Sequence, residues 1–276
     1  MNRATRWGDA LARGPVLLDS AHGTRLIARG LDLNHDDPAL WVLDRPDEVA
    51  RLHALDIEAG ADALLTDTFG ANRTWLARYG RSADVLALNR RAVALAREAA
   101  GPARLVIGSI GPTGWDDPDP DAGIEQADAL VQAGADAIAL ETQLSEKAII
   151  VLHRLRARVP AGFPIVVSLY QWPDAPKILA RYLGLLSASA LGVNCVPGMS
   201  AAAEIAMQIG RAVDLPVWIK PNPGGPCEPP EEFARQSGTL LDRGGPMFLG
   251  GCCGTNEAHI ASLRRAIDDR RPAPPD

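Results

Sequence analysis

A chain of 276 residues, 47% of them hydrophobic and 22% charged, can bury a large core without help from disulfides. Its net charge of −6, with no long basic run, argues against binding nucleic acid through phosphates. No apolar run approaches the roughly 18 residues of a membrane helix, and the opening stretch MNRATRWGDALARG has no signal-peptide core, so the expected location is the cytoplasm.

Short runs rich in Val, Ile and Leu alternate with helical patterns, as strands buried on both faces require. The predicted strands are VLLDSA (16–21), ALLTDTF (63–69), LVIGSIG (105–111), AIALETQ (137–143), PIVVSLY (164–170), LGVNCV (191–196), VWIKPNP (217–223) and MFLGGCC (247–253). Helical patterns such as PDEVARLHALDIEAGA and SADVLALNRRAVALAREAAG lie between them. The phrase AGAD closes a helix before a strand at 59–62 and again at 133–136, its glycine suited to a left-handed helix end. Eight such units predict a single (β/α)8 TIM barrel spanning 1–276, with a core of about 15–269 and a disordered tail at 270–276. A doubly wound open sheet is the alternative, but the first strand lacks the glycine-rich dinucleotide turn. Two long connections stand out, 30–46 and the Pro- and Asp-rich PTGWDDPDPDAG at 112–123; the first is expected to cover the barrel mouth.

A TIM barrel carries its active site at the C-terminal ends of its strands. Polar residues gather there: Asp19, Asp67, Thr68, Glu141, Thr142, Asn194, Cys195, Asn222, Cys252 and Cys253. Cys195 ends the sixth strand and the Cys252–Cys253 pair ends the eighth, so a closed barrel can bring three thiols together. In a reducing compartment such thiols bind metal or do catalysis more often than they staple a fold. Zinc takes thiolates and in catalytic sites keeps one position open. Adjacent strand residues point to opposite faces, so two neighbouring cysteines share a metal only where the backbone leaves strand geometry. Gly250, Gly251 and Gly254 supply that freedom. By spacing alone a vicinal disulfide used for redox chemistry stays open beside zinc. Cys227 reads as a small buried hydrophobe. The five histidines include no H-x-x-x-H pair; His22 reads as a satisfied structural residue and His259 as part of the last helix.

LLDSAHGTRL, TDTFGANR, SIGPTG, LETQ, GVNCVPG, KPNPGGP and GGCCGT together resemble the homocysteine S-methyltransferase family. That family includes betaine– and S-methylmethionine–homocysteine methyltransferases and the homocysteine domain of cobalamin-dependent methionine synthase. The match runs in order from residue 16 to about 267, and GVNC followed by GGCCG is its most specific part. The resemblance implies zinc held by Cys195, Cys252 and Cys253, and homocysteine as methyl acceptor with its sulfur in the fourth position. It implies that Asp19 and Glu141 hold the acceptor's ammonium group. Backbone amides near Ser20 and near Asp67–Thr68 would receive its carboxylate, and Asn194 would position the site. Two residues depart from the family's D-G-A-M-G-T motif: Ser20 replaces the glycine and His22 the methionine. The expected methyl donor is a small sulfonium such as S-methylmethionine, with a separate corrinoid protein as the alternative source. A dithiol redox enzyme and a non-catalytic zinc-binding barrel are the alternatives of a different class.

Overall fold

The computed structural model describes residues 3–114, 119–174, 176–225 and 228–270. Cys227, part of the 112–123 connection and the tail from 271 lie outside the described residues. Eight strands appear: β1 (Val16–Leu17), β2 (Ala63–Leu65), β3 (Leu105–Ile110), β4 (Ala137–Gln143), β5 (Ile165–Leu169), β6 (Ala190–Pro197), β7 (Val217–Asn222) and β8 (Met247–Leu249). Every ladder is parallel, and the order β1-β8-β7-β6-β5-β4-β3-β2 leaves only β1 and β2 to meet. They meet through Asp62, whose N–H donates to Leu17 O at 2.7 Å and whose Oδ2 accepts from Leu17 N at 3.0 Å. The sheet is thereby a closed (β/α)8 barrel, as the alternation of strands and helices predicts.

The residue before a strand repeats this two-point clasp around the barrel. Asp136 donates to Val106 O at 2.7 Å and accepts from Val106 N at 2.8 Å. Ser189 donates to Ile165 O at 2.7 Å and accepts from Ile165 N at 3.1 Å through Oγ. The aspartates of the two AGAD phrases therefore tie neighbouring strands, while their glycines sit at φ 101° (Gly60) and 100° (Gly134) as helix ends require.

Strand residues alternate between two cores. Val106, Ile110, Ile138 and Leu140 face the helices, whereas Leu105, Ile107, Ala137, Ala139, Val166, Ala190, Trp218 and Phe248 fill the barrel. The opening segment contributes to that interior. It folds as a helix, Arg3–Ala12, whose Trp7 stacks on Phe248 at a centroid distance of 4.3 Å. The residues before position 15 thus belong to the core rather than preceding it. One step further along the inward positions, at the C-terminal rim, the set turns polar: Ser109 follows Ile107, Glu141 follows Ala139, Ser168 follows Val166 and Lys220 follows Trp218. Three strands fall well short of the predicted ranges, and β3, β5 and β7 differ from theirs by only a residue or two. β1 stops before Asp19, β2 before Asp67 and β8 before Gly250. The ladder is given up where side chains must turn into the barrel mouth.

Candidate active site

The three cysteines of the rim converge. Cys195 Sγ lies 2.9 Å from Cys252 Sγ and 3.6 Å from Cys253 Sγ. Two backbone departures bring this about. Cys195 adopts a left-handed φ of 60°, at a register shift of β6 between Asn194 and Pro197. Past β8 the chain runs irregularly: Cys252 N donates to Pro221 O at 2.8 Å, and Gly254 turns at φ 89°. Gly250 is needed for space rather than for freedom, since a Cβ there would lie 2.7 Å from Leu18 Cβ and 2.9 Å from Asp19 O. The sequence locates the cysteines and the loop; it gives no sign that Cys195 itself carries the left-handed strain.

Asn194 holds that strain in place. Its Oδ1 accepts from Thr142 N at 2.9 Å and from Ser168 Oγ at 2.7 Å, and its Nδ2 donates to Thr142 Oγ1 at 2.7 Å. Thr142 is itself left-handed, at φ 55°. Such conformations cost on the order of 1–3 kcal/mol each and persist where surrounding contacts fix them. Asn222 adds a bond from Nδ2 to Cys195 O at 3.2 Å.

The thiols shape one another's ionisation. Hydrogen bonds from Cys195 and Cys252 hold the Cys253 thiol low, at about 3, while the bond to Cys195 pushes Cys252 well up. One negative charge is welcome in this cluster and three repel. A bound cation relieves that repulsion, so the donor set suits a thiolate-loving metal.

A cavity of about 280 Å³ opens beside the sulfurs, lined among others by Asp19, Ser20, Asp67, Glu141 and Asn194. All of these were singled out from the sequence. Thr68 is not among its lining: its Oγ1 donates to Ser109 O at 2.7 Å and its N–H to Thr66 O at 2.8 Å. Asp19 lies in the cavity with both oxygens engaged. Oδ1 accepts from Lys220 Nζ at 2.6 Å, and Oδ2 accepts from Leu65 N at 2.7 Å. Glu141 is different. Its Oε2 accepts from Ser109 Oγ at 2.6 Å, and it has no ion pair among the described residues. Burial pushes its carboxyl up, against the pull of Lys220.

Lys220 and Ser109 escape a reading by motif, although KPNPGGP and SIGPTG contain them. A lysine inside an otherwise apolar strand was the available signal, because buried lysines occur almost only in pairs. Burial disfavours the Lys220 charge, but Asp19 and Glu141 outweigh it and raise its pKa.

His22 is indeed satisfied, and it is also charged. Nδ1 lies 2.7 Å from Asp67 Oδ2 and Nε2 lies 3.0 Å from Asp56 Oδ2. Burial opposes its charge, yet Asp67 and Asp56 together push its pKa up to about 10. Ser20 does not crowd the cavity with an idle hydroxyl: Oγ donates to Asp56 Oδ1 at 2.8 Å and accepts from Arg25 Nη1 at 2.8 Å. The two departures from the family motif therefore belong to one buried network with Asp56 and Arg25. His259 lies in the last helix, Glu257–Asp268, as expected.

The sequence profile of the homocysteine S-methyltransferase family matches residues 16–267, nearly all of a barrel whose rim gathers three cysteines. The chain belongs to this family. As a family member it is 30% identical to the methionine synthase of Mycobacterium tuberculosis, over 94% of its own length and 25% of that protein. A methionine synthase of Mycobacterium leprae is 28% identical over the same shares. The chain thus spans about a quarter of the curated relatives it matches. Among solved structures, the homocysteine methyltransferase MmuM of Escherichia coli in its metallated form aligns with TM-score 0.75 and 26% identity, covering 94% of this chain and 96% of that one. Its oxidized form gives the same score and identity over 91% and 95%. A metallated relative and a three-cysteine cluster together point to a metal site in this family member. Among the described residues no helix is long and apolar enough to cross a membrane.

Proposed function

We propose that this chain binds zinc through Cys195, Cys252 and Cys253 and transfers a methyl group from a small sulfonium to homocysteine, giving methionine. The observation that carries this reading is the convergence of three sulfurs on the wall of a cavity that also exposes Glu141. Three thiolates suit zinc, and a bound zinc would hold an acceptor thiol as its thiolate at neutral pH, where a free thiol with a pKa near 8.5 is mostly protonated.

The chain's own residues do the rest. Glu141, buried and without a cation among the described residues, receives the acceptor's ammonium. Asp19, already paired with Lys220, keeps that lysine charged and fixes the rim between β1 and β2. The acceptor's carboxylate meets backbone N–H groups at Ser20 and Asp67. Asn194 holds the backbone on either side of the sulfurs, so the acceptor's sulfur is presented at a fixed point. The acceptor thiol gives up its proton to solvent. Its sulfur then bonds the donor's methyl carbon as the donor's own S–CH3 bond breaks, and that electron pair stays on the donor sulfur as a neutral thioether. Bringing both reactants into one small cavity supplies a proximity effect that can be large.

The test is methionine formed from homocysteine and S-methylmethionine by the purified, zinc-loaded chain alone. Product only after a methylated corrinoid protein is added would move the donor to that protein and keep the acceptor chemistry. Homocysteine uptake without product from either source would leave a non-catalytic barrel. A stable Cys252–Cys253 disulfide in protein that takes up no metal would favour the redox reading.

A further inference from the structure

The cavity holds one more carboxylate that the acceptor does not explain. Asp37 lies in the long connection between β1 and β2 and lines the same cavity as the three cysteines. Its Oδ1 accepts from Ala39 N at 2.9 Å, capping the short helix Pro38–Leu40. A cap needs an oxygen and not a charge, since asparagine caps as well as aspartate. Yet Asp37 is half-buried, forms no ion pair among the described residues, and feels the like charges of Asp36 and Asp67, with Arg78 opposing them without a direct contact. Two other carboxylates of the cavity have direct partners, Asp19 in Lys220 and Asp67 in His22, whereas Glu141 has none among the described residues. A half-buried charge left without a counterion is costly, and a cation in the cavity restores the balance.

The approach of Asp37 to the cavity depends on Gly70. A Cβ at that position would lie 3.0 Å from both Oδ1 and Oδ2 of Asp37. Glycine there leaves the carboxylate room to lie against the rim loop after β2. The cavity thus presents two carboxylates without cations: Glu141, which feels Lys220, Asp19 and Cys253, and Asp37, which feels Asp36, Asp67 and Arg78. The first belongs to the sulfur end and the second to the covering connection. A reaction between an amino-acid thiol and a sulfonium brings two cationic groups into one cavity, and two such carboxylates await them.

Building on the proposed methyl transfer, we infer that Asp37 is the specificity-determining residue for the donor, binding its cationic portion while Glu141 binds the ammonium of the acceptor. Cationic donors are thereby favoured over neutral ones, and Gly70 sets the geometry.

The experiment titrates S-methylmethionine, and separately homocysteine, into zinc-loaded protein, so that neither titration turns over. Asp37→Asn keeps the cap and removes the charge. It is expected to bind S-methylmethionine at least ten-fold more weakly than the parent, with homocysteine affinity and zinc content unchanged within two-fold. Gly70→Ala, which displaces the same carboxylate, is expected to shift donor affinity in the same direction and serves as the test if Asp37→Asn does not fold. Equal donor affinity in parent and Asp37→Asn, an equal loss for both ligands, or a parent that binds no sulfonium would overturn the inference. Failure of the underlying reading looks different: the parent binds the sulfonium in an Asp37-dependent way but forms no methionine.

Discussion

Lys220 Nζ and Asp19 Oδ1 lie 2.6 Å apart at the barrel rim, their side chains 5% and 2% exposed. The pair joins the end of β7 to the chain just past β1, and Asp19 Oδ2 reaches on to Leu65 N of β2. One carboxylate thus spans the seam where β1 and β2 share no regular ladder. Removing one member of a buried pair strands the other charge, at about 3–5 kcal/mol. Asp19→Asn should lower the unfolding free energy by that order in denaturant titrations. Lys220→Met combined with Asp19→Asn should recover part of it, because the Lys220 charge is no longer stranded beside a neutral partner. Full additivity of the two single losses would show that the pair is not coupled.

Glu141 accepts from Ser109 and meets no cation among the described residues. Glu141→Gln retains a hydrogen-bonding partner for Ser109 while losing the charge. Homocysteine binding should weaken by about 1.5–3 kcal/mol, the worth of one charge-assisted hydrogen bond. Zinc content should not change. Calorimetry with homocysteine checks this, and unaltered affinity would assign the ammonium to another group.

The sulfur cluster makes a sharper prediction about metal. Cys195→Ala, Cys252→Ala and Cys253→Ala should each abolish tight zinc binding in reduced protein, measured by metal analysis after dialysis against a chelator. Cys227→Ala should retain the metal. Full occupancy in Cys253→Ala would reject it as a ligand.

His22 sets a pH dependence. Unfolded, a histidine titrates near 6.5; folded, His22 titrates at about 10 because Asp67 and Asp56 overcome its burial. A raised folded pKa stabilises fully below the unfolded value and the benefit fades as pH rises toward the folded one. The stability gap between the parent and His22→Gln should therefore be widest below about pH 6.5 and narrow steadily toward about pH 10. His53, whose ring centroid lies 4.5 Å from that of His22, is driven the other way, to about 3, by burial and by the His22 charge. A gap that does not change with pH would mean that His22 is neutral in the fold.

Much of this protein is decided by local sequence. Eight Val-, Ile- and Leu-rich runs spaced by amphipathic helices admit few closed arrangements, because parallel strands buried on both faces need a helix between each pair. The same runs end in polar residues, and that alone places Asp19, Glu141, Asn194 and the cysteines on one rim. What only tertiary structure decided is how those side chains are used. Asp19 reads as a free carboxylate until Lys220, 201 positions away, is brought beside it. Thr68 reads as a binding residue until Thr66 and Ser109 claim it. His22 becomes charged only because Asp56 and Asp67 converge on its two nitrogens. The left-handed turn at Cys195 is invisible in a sequence where such a turn suggests glycine, since it is held by contacts from β4, β5 and β7 rather than by local preference. Local propensity and hydrophobic period act over a few residues and so can be read along the chain. Charge pairing, ionisation and strain depend on distances between strands far apart in sequence, and those exist only once the barrel has closed.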